Sequence, residues 1–314
     1  MRAGDWVEVR SAAEILATLD ERGGLDALPF MPEMLQYCGK RFQVYKSAHK
    51  TCDTSQNLGT LRELPRTVHL AGLRCDGSAH GGCQAACLLF WKEAWLKPVN
   101  GSEAPHRNGS KCDLDRLTRA TRRNGSDDPA AEPEYRCQIT ELNAASTPLP
   151  WWQPRSYVRD LLSRNVRLFD FIRFILLAAY NSIMRLHWRG RPYPYVRGTA
   201  GKETPSVTLN LQPGELVRVR SREEIMRTLN VHDRNRGLSF DPEMVPYCGK
   251  TVRVLRRVER IVNERTGRMT KIPGVCLMLE DVICGGCLSS RRLFCPRAIY
   301  SYWHEIWLER VAEQ

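Results

Sequence analysis

The chain has 314 residues, 42% of them hydrophobic and 26% charged, which excludes a wholly disordered or fibrous protein and allows two domains with a core each. Its net charge is +12, and the excess is local: Lys and Arg balance Asp and Glu over residues 1–150, but exceed them by 7 over 151–213 and by 5 over 214–314. Such a patch attracts nucleic acid, anionic lipid or an acidic protein, and charge alone does not choose among them. The first residues lack the unbroken apolar core of a secretory signal, so the chain reads as cytoplasmic. There, 12 cysteines point to metal ligands, buried thiols or redox chemistry more than to a disulfide framework.

The first predicted module spans residues 1–97. Val7 and Val9 alternate with polar residues as in a strand with one buried face. Ser11 with Glu14 forms a capping box, which opens a short helix carrying Ile15, Leu16 and Leu19. A Tyr37-Cys38-Gly39 turn follows, then a strand through Phe42 and Val44, and another from Val68 to Leu73. Trp91 and Trp95 stand four apart, the spacing of one helix face, and are expected to pack in the core.

Residues 98–150 form an insert. From Pro98 to Glu134 they are rich in Gly, Ser, Asn, Asp and Arg and are predicted to be mobile, with Asn100, Asn108 and Asn124 of three Asn-Gly-Ser triplets marking turns. Residues 151–213 make a basic helical connector, with helices over Arg155–Ser163 and Val166–Trp188 and a break between them. The uncharged run Phe174–Met184 is too short to span a bilayer. It is read first as a helix buried between the modules, with Phe171, Ile175, Leu176 and Tyr180 packed inward. The alternative places it on a membrane surface, where Arg155, Arg159, Arg164, Arg167, Arg173 and Arg185 meet lipid phosphates. Trp188 to Arg197 interleaves aromatic and basic groups, suited to stacking bases or to a proline-held linker.

The second module, residues 214–314, repeats the first. Gly4–Lys40 and Gly214–Lys250 match without gaps at 18 of 37 positions, including the capping residues Ser221 and Glu224 and the Tyr-Cys-Gly turn. A hairpin is predicted to turn near Arg265–Arg268, a strand to run from Val275 to Ile283, and Trp303 and Trp307 to mirror the first tryptophan pair. The expected fold is therefore α+β and mainly β: two homologous small β-barrel-like modules with short helices. Its strand order resembles Src-homology-3-like small barrels, which implies a binding or accessory role. The duplicated chain is also similar to a family of bacterial proteins with two Cys-rich modules, a resemblance that implies no particular activity.

The thiols repeat with the modules: Cys38 matches Cys248, Cys75 matches Cys284 and Cys83 matches Cys295. Four soft donors make a closed structural zinc site. Cys38, Cys75, His80 and Cys83 are candidate ligands in the first module, with Cys87 as an alternative donor, and Cys248, Cys284, Cys287 and Cys295 in the second. Cys284-Gly-Gly-Cys287 also fits a dithiol couple, and buried free thiols remain a further reading. Cys52, Cys112, Cys137 and Cys276 have no counterparts, although His49 and Cys52 have the chemistry of a base and nucleophile. No phosphate loop, metalloprotease helix or dinucleotide fingerprint occurs. The sequence thus points to a zinc-stapled, non-catalytic binding or accessory protein that engages an anionic partner through residues 151–213, nucleic acid ahead of a membrane surface. The alternatives are a thiol- or metal-dependent enzyme using the Cys75–Cys83 loop and a peripheral membrane-surface protein.

Overall fold

A computed structural model describes residues 1–55, 60–99, 111–123, 132–187, 190–289 and 291–311, with 111–113 and 273 described by backbone alone. Strand accounts for 30% and helix for 24%, so the class is mixed α/β with more strand than helix. Much of the helix lies in the connector, where it was expected, with a further helix in the insert. By contact density the chain divides into two units. The first is Met1–Phe171 with Val262–Thr270 and Phe294–Arg297; the second is Ile172–Ile261 with Lys271–Leu293 and Ala298–Gln314.

The first unit begins with β1 (Trp6–Val9), α1 (Ala12–Leu16), the short ribbon β2 (Gly24–Leu25) and β3 (Leu28–Pro29), and a 3-10 turn over Pro32–Tyr37. Next come β4 (Arg41–Ser47), β5 (Lys50–Asp53), β6 (Thr60–Glu63), β7 (Thr67–Arg74), β8 (Leu88–Lys92) and β9 (Leu96–Pro98). The main sheet has the order β8-β7-β4-β1-β9, and sheet curling gives a half-barrel. Ser11 accepts a bond from the Glu14 amide while the Glu14 carboxylate accepts one from the Ser11 amide, which closes the predicted box.

Trp91 and Trp95 are fully buried, as expected, but not on a helix. Trp91 ends a strand and Trp95 closes the 3-10 turn Glu93–Trp95, a geometry that brings both rings onto Phe30, 6.2 and 5.2 Å away edge-on. The Trp95 indole N–H donates to Thr18 Oγ1 at 3.1 Å, so its polar edge is satisfied inside the core.

Asn100, Asn108 and Asn124 lie outside the described residues, as does the side chain of Cys112. Part of the insert is regular: α2 (Lys111–Ala120) buries Leu117, and α3 (Leu142–Ala145) leads into β10 (Thr147–Leu149), which pairs with β6. The connector helices are α4 (Pro154–Leu162) and α5 (Leu168–Leu186), broken near Arg164, whose φ is +59°. Inside α4, Asp160 is fully buried and meets Lys50 Nζ at 2.5 Å and His49 Nε2 at 3.3 Å. On α5, Phe171 stacks on Phe294, but Leu176 and Tyr180 are exposed, contrary to the inward packing expected of them. The helix is apolar on more than one side, and only part of its circumference is covered.

In the second unit, β11 (Leu216–Val219) and α6 (Arg222–Met226) are followed by the ribbon β12 (Arg234–Asn235) and β13 (Leu238–Ser239) and a 3-10 turn over Pro242–Tyr247. The long strands β14 (Thr251–Val262) and β15 (Met269–Leu279) precede β16 (Trp303–His304) and β17 (Leu308–Arg310). Their sheet order, β16-β15-β14-β11-β17, follows the same path as the first. Phe240 meets Trp303 and Trp307 edge-on, and the Trp307 N–H donates to Thr228 at 2.9 Å. Asn181 of α5 clamps Tyr193 through two bonds of 2.6 Å, holding the proline-rich linker.

His69 of β7 is buried against Phe90, with Nδ1 bonded to the Leu89 carbonyl at 2.9 Å. Burial, reinforced by nearby Arg297 and Arg74, pushes its pKa down to about 3. An unfolded histidine takes up a proton near pH 6.5 while this one stays neutral, so its contribution is present above about pH 6.5 and is lost as pH falls toward 3. At pH 5 the loss is about 2 kcal/mol. Urea titrations at pH 7.5 and 5 should show that His69→Phe removes this part of the acid sensitivity; equal pH dependence in both proteins would contradict it.

Candidate metal centre

The loop from Cys75 to Cys83 is shaped by its glycines. At Gly77, with φ +77°, an added Cβ would sit 2.0 Å from the Cys83 carbonyl oxygen, and at Gly81 it would strike the Tyr135 ring at 2.6 Å. Only glycine fits either position. The Asp76 carboxylate accepts bonds from the Ser78 amide and hydroxyl, and the Gly77 carbonyl accepts from the His80 and Gly82 amides. Thr121 holds the Ala79 carbonyl from outside at 2.9 Å. The outcome is that His80 folds back, placing Nε2 3.3 Å from Cys75 Sγ.

A third donor comes from a place the sequence reading did not consider. Glu33, in the 3-10 turn Pro32–Tyr37, joins Cys75 and His80, and one ligand atom from each lies within 4.8 Å of the other two. Among the described residues this is the one cluster of three metal-type donors. Glu33 and His80 are buried and Cys75 is half-buried. Among the described residues, neither Glu33 carboxylate oxygen, nor His80 Nδ1, has a well-formed hydrogen bond. Burial pushes the Glu33 carboxyl up, against a smaller pull from its own amide and the Cys75 thiol. Burial likewise pushes the Cys75 thiol up and lowers the His80 imidazole to about 4.

These directions separate two chemistries. A nucleophilic cysteine needs a thiolate favoured by a charged or oriented imidazole. Here both groups are held neutral, and among the described residues no partner orients His80 through Nδ1. A borderline divalent cation reverses the upward shifts of Glu33 and Cys75 and agrees with the lowered His80, because it binds thiolate, neutral imidazole and carboxylate together.

The remaining predicted ligands lie elsewhere. Cys38 caps the 3-10 turn with its thiol pushed up to about 11, and Cys83 Sγ accepts the Val262 amide at 3.3 Å. Cys87 accepts the Cys75 amide through its carbonyl, and its thiol is pushed up to about 12 by burial. Cys295 belongs to the first unit, where its sulfur accepts the Cys52 amide at 3.2 Å, whereas Cys248, Cys284 and Cys287 belong to the second. His49 faces Ser156 and Asp160 of α4, and Cys52 is buried on β5.

The second unit spends the corresponding glutamate differently. Glu243 accepts the Leu288 and Ser289 amides on one oxygen at 2.6 and 3.0 Å, a pull against the burial that pushes its carboxyl up. Glu33 was legible in one respect: Pro-Glu-Met precedes the Tyr-Cys-Gly turn in both copies. Comparison with protein-family models, curated proteins and solved structures finds no match, so the site is interpreted from its own geometry.

Gly77→Ala should open the loop. Its expected cost is on the order of 1–3 kcal/mol, measured by urea unfolding, with faster alkylation of Cys75 in the native protein followed by peptide mass mapping. Unchanged stability and reactivity would show that the loop does not set the Cys75–His80 approach.

Proposed function

We propose that this is a non-catalytic binding or accessory protein whose first unit is stapled by one zinc ion at Glu33, Cys75 and His80, and whose connector, residues 151–213, engages an anionic partner. The observation that carries the metal reading is the buried Glu33 carboxylate, which has no good hydrogen bond and faces a thiol and an imidazole. An uncompensated buried carboxylate is costly, and a divalent cation is the group that would offset it. Three protein donors leave a fourth position to be filled, and it is the burial of Glu33 and His80, which restricts the access a substrate there would need, that favours a structural role. Zinc there would tie the turn after β3 to the loop after β7.

We also infer that the two modules arose by duplication and then diverged. The shared strand order, the paired capping boxes and the Phe-Trp-Trp clusters support this, and Glu243 with its backbone partners represents the copy that lost the site. The enzyme reading, with Cys75 as nucleophile, is less well supported because the thiol and imidazole are both held neutral.

Elemental analysis and zinc titration of the full chain should give one zinc per chain, lost in Cys75→Ser and His80→Asn. Bound zinc at 100 to 1,000 times its Kd should stabilise the fold by about 3–4 kcal/mol. Glu33→Leu should bind no zinc, yet in metal-free buffer should be more stable than the parent by about 1–3 kcal/mol. Failure of the parent chain to bind zinc, or a loss of metal-free stability in Glu33→Leu, would reject the site.

A further inference from the structure

The most continuous apolar arc of α5 faces outward, although apolar residues also lie on its covered side. Residues turn by about 100° each along a helix, and on that wheel Leu168, Phe169, Ile172, Leu176, Ile183 and Leu186 fall within one arc of roughly a third of the circumference. They are 50–88% exposed. Asn181, on the opposite side, is buried. Hydrophobic burial explains ordinary amphipathic helices, but here the apolar stripe is the side left to solvent.

Charge suggests what covers it. Between residues 151 and 187 the exposed ionised groups are all arginines: Arg155, Arg159, Arg164, Arg167, Arg173 and Arg185. The two acids of this segment are withdrawn, Asp160 being fully buried and Asp170 half-buried. An apolar stripe on a helix about 28 Å long, in a segment whose exposed charge has one sign, matches the boundary between acyl chains and anionic headgroups. Nucleic acid would use the arginines but leave the leucines and isoleucines uncovered. No helix among the described residues is long and apolar enough to cross a membrane, so the contact is with the surface.

We propose that α5 lies in the interface of an anionic lipid bilayer, its Leu168–Leu186 stripe among the upper acyl chains and the connector arginines on lipid phosphates. This deepens the reading of the connector as the contact surface and is independent of the zinc site.

The test is co-sedimentation of the full chain with phosphatidylcholine vesicles with and without about 30% phosphatidylglycerol. Binding should require the anionic lipid and weaken with salt. Replacing Leu176 and Ile183 by Ser should abolish it while leaving the urea midpoint unchanged, because both side chains are exposed. Arg167→Gln with Arg173→Gln should weaken it roughly 10- to 30-fold. Three results overturn the proposal: no vesicle binding with salt-sensitive binding to RNA, which keeps an anionic partner but of another class; binding to neither, which removes the anionic-partner reading too; and a concentration-dependent dimer lost in the Leu176, Ile183 variant without vesicle binding, which assigns the stripe to a second copy.

Discussion

A guanidinium withdrawn from water must have every strong donor met nearby, and Arg297 imposes this requirement on the first unit. It is 4% exposed. Its nitrogens donate to the Cys52 carbonyl at 2.8 Å, to Thr54 Oγ1 at 3.1 Å and to Glu264 at 3.3 Å. Removing any partner would leave a buried charge uncompensated, a larger penalty than the pair itself contributes. These bonds tie β5 to two segments from far along the chain, Val262–Thr270 and Phe294–Arg297. The contacts around them follow: Cys295 seats its sulfur on the Cys52 amide, the Tyr135 amide donates to the Gly267 carbonyl, and Arg268 pairs with Glu134.

Short local elements were legible in the sequence, and the Glu33, Cys75 and His80 cluster only in part. Local signals transferred well, because a capping box or a Tyr-Cys-Gly turn is specified within a few residues. The break before α5 and the hairpin turn near Gly267 were visible for the same reason. Thiol matching depends instead on side-chain direction. Cys83 and Cys295 occupy corresponding positions, yet each accepts a backbone amide as a small buried hydrophobe would. Glu33 was passed over because an acidic residue after proline is an ordinary helix opener, and its isolation appears only when the loop carrying His80 folds over it. The tryptophans mislead by spacing: a strand followed by a 3-10 turn places positions four apart on one core as a helix does.

The two units surround a buried glutamate in two ways. Each has a glutamate buried in the turn before its first matched cysteine. In the second copy the Cys284–Ser289 segment supplies backbone amides; in the first, the longer Cys75–Cys83 loop supplies a thiol and an imidazole. Backbone amides satisfy a buried glutamate directly, whereas a thiol and an imidazole bring lone pairs of their own to it.

The interleaving of late segments into the first unit has a consequence for synthesis. A ribosome delivers the chain from its N-terminus, and domains commonly fold as they emerge. The strands β1 to β9 can pair among themselves as they emerge, but the Cys83 sulfur meets its partner only once Val262 has been made and the Cys52 carbonyl only once Arg297 has, more than a hundred residues later. Contacts of such long sequence separation slow folding and prolong the exposure of reactive thiols. A stop shortly before Arg297 would remove the guanidinium that donates to the Cys52 carbonyl and the Thr54 hydroxyl, two acceptors made near the start of the chain.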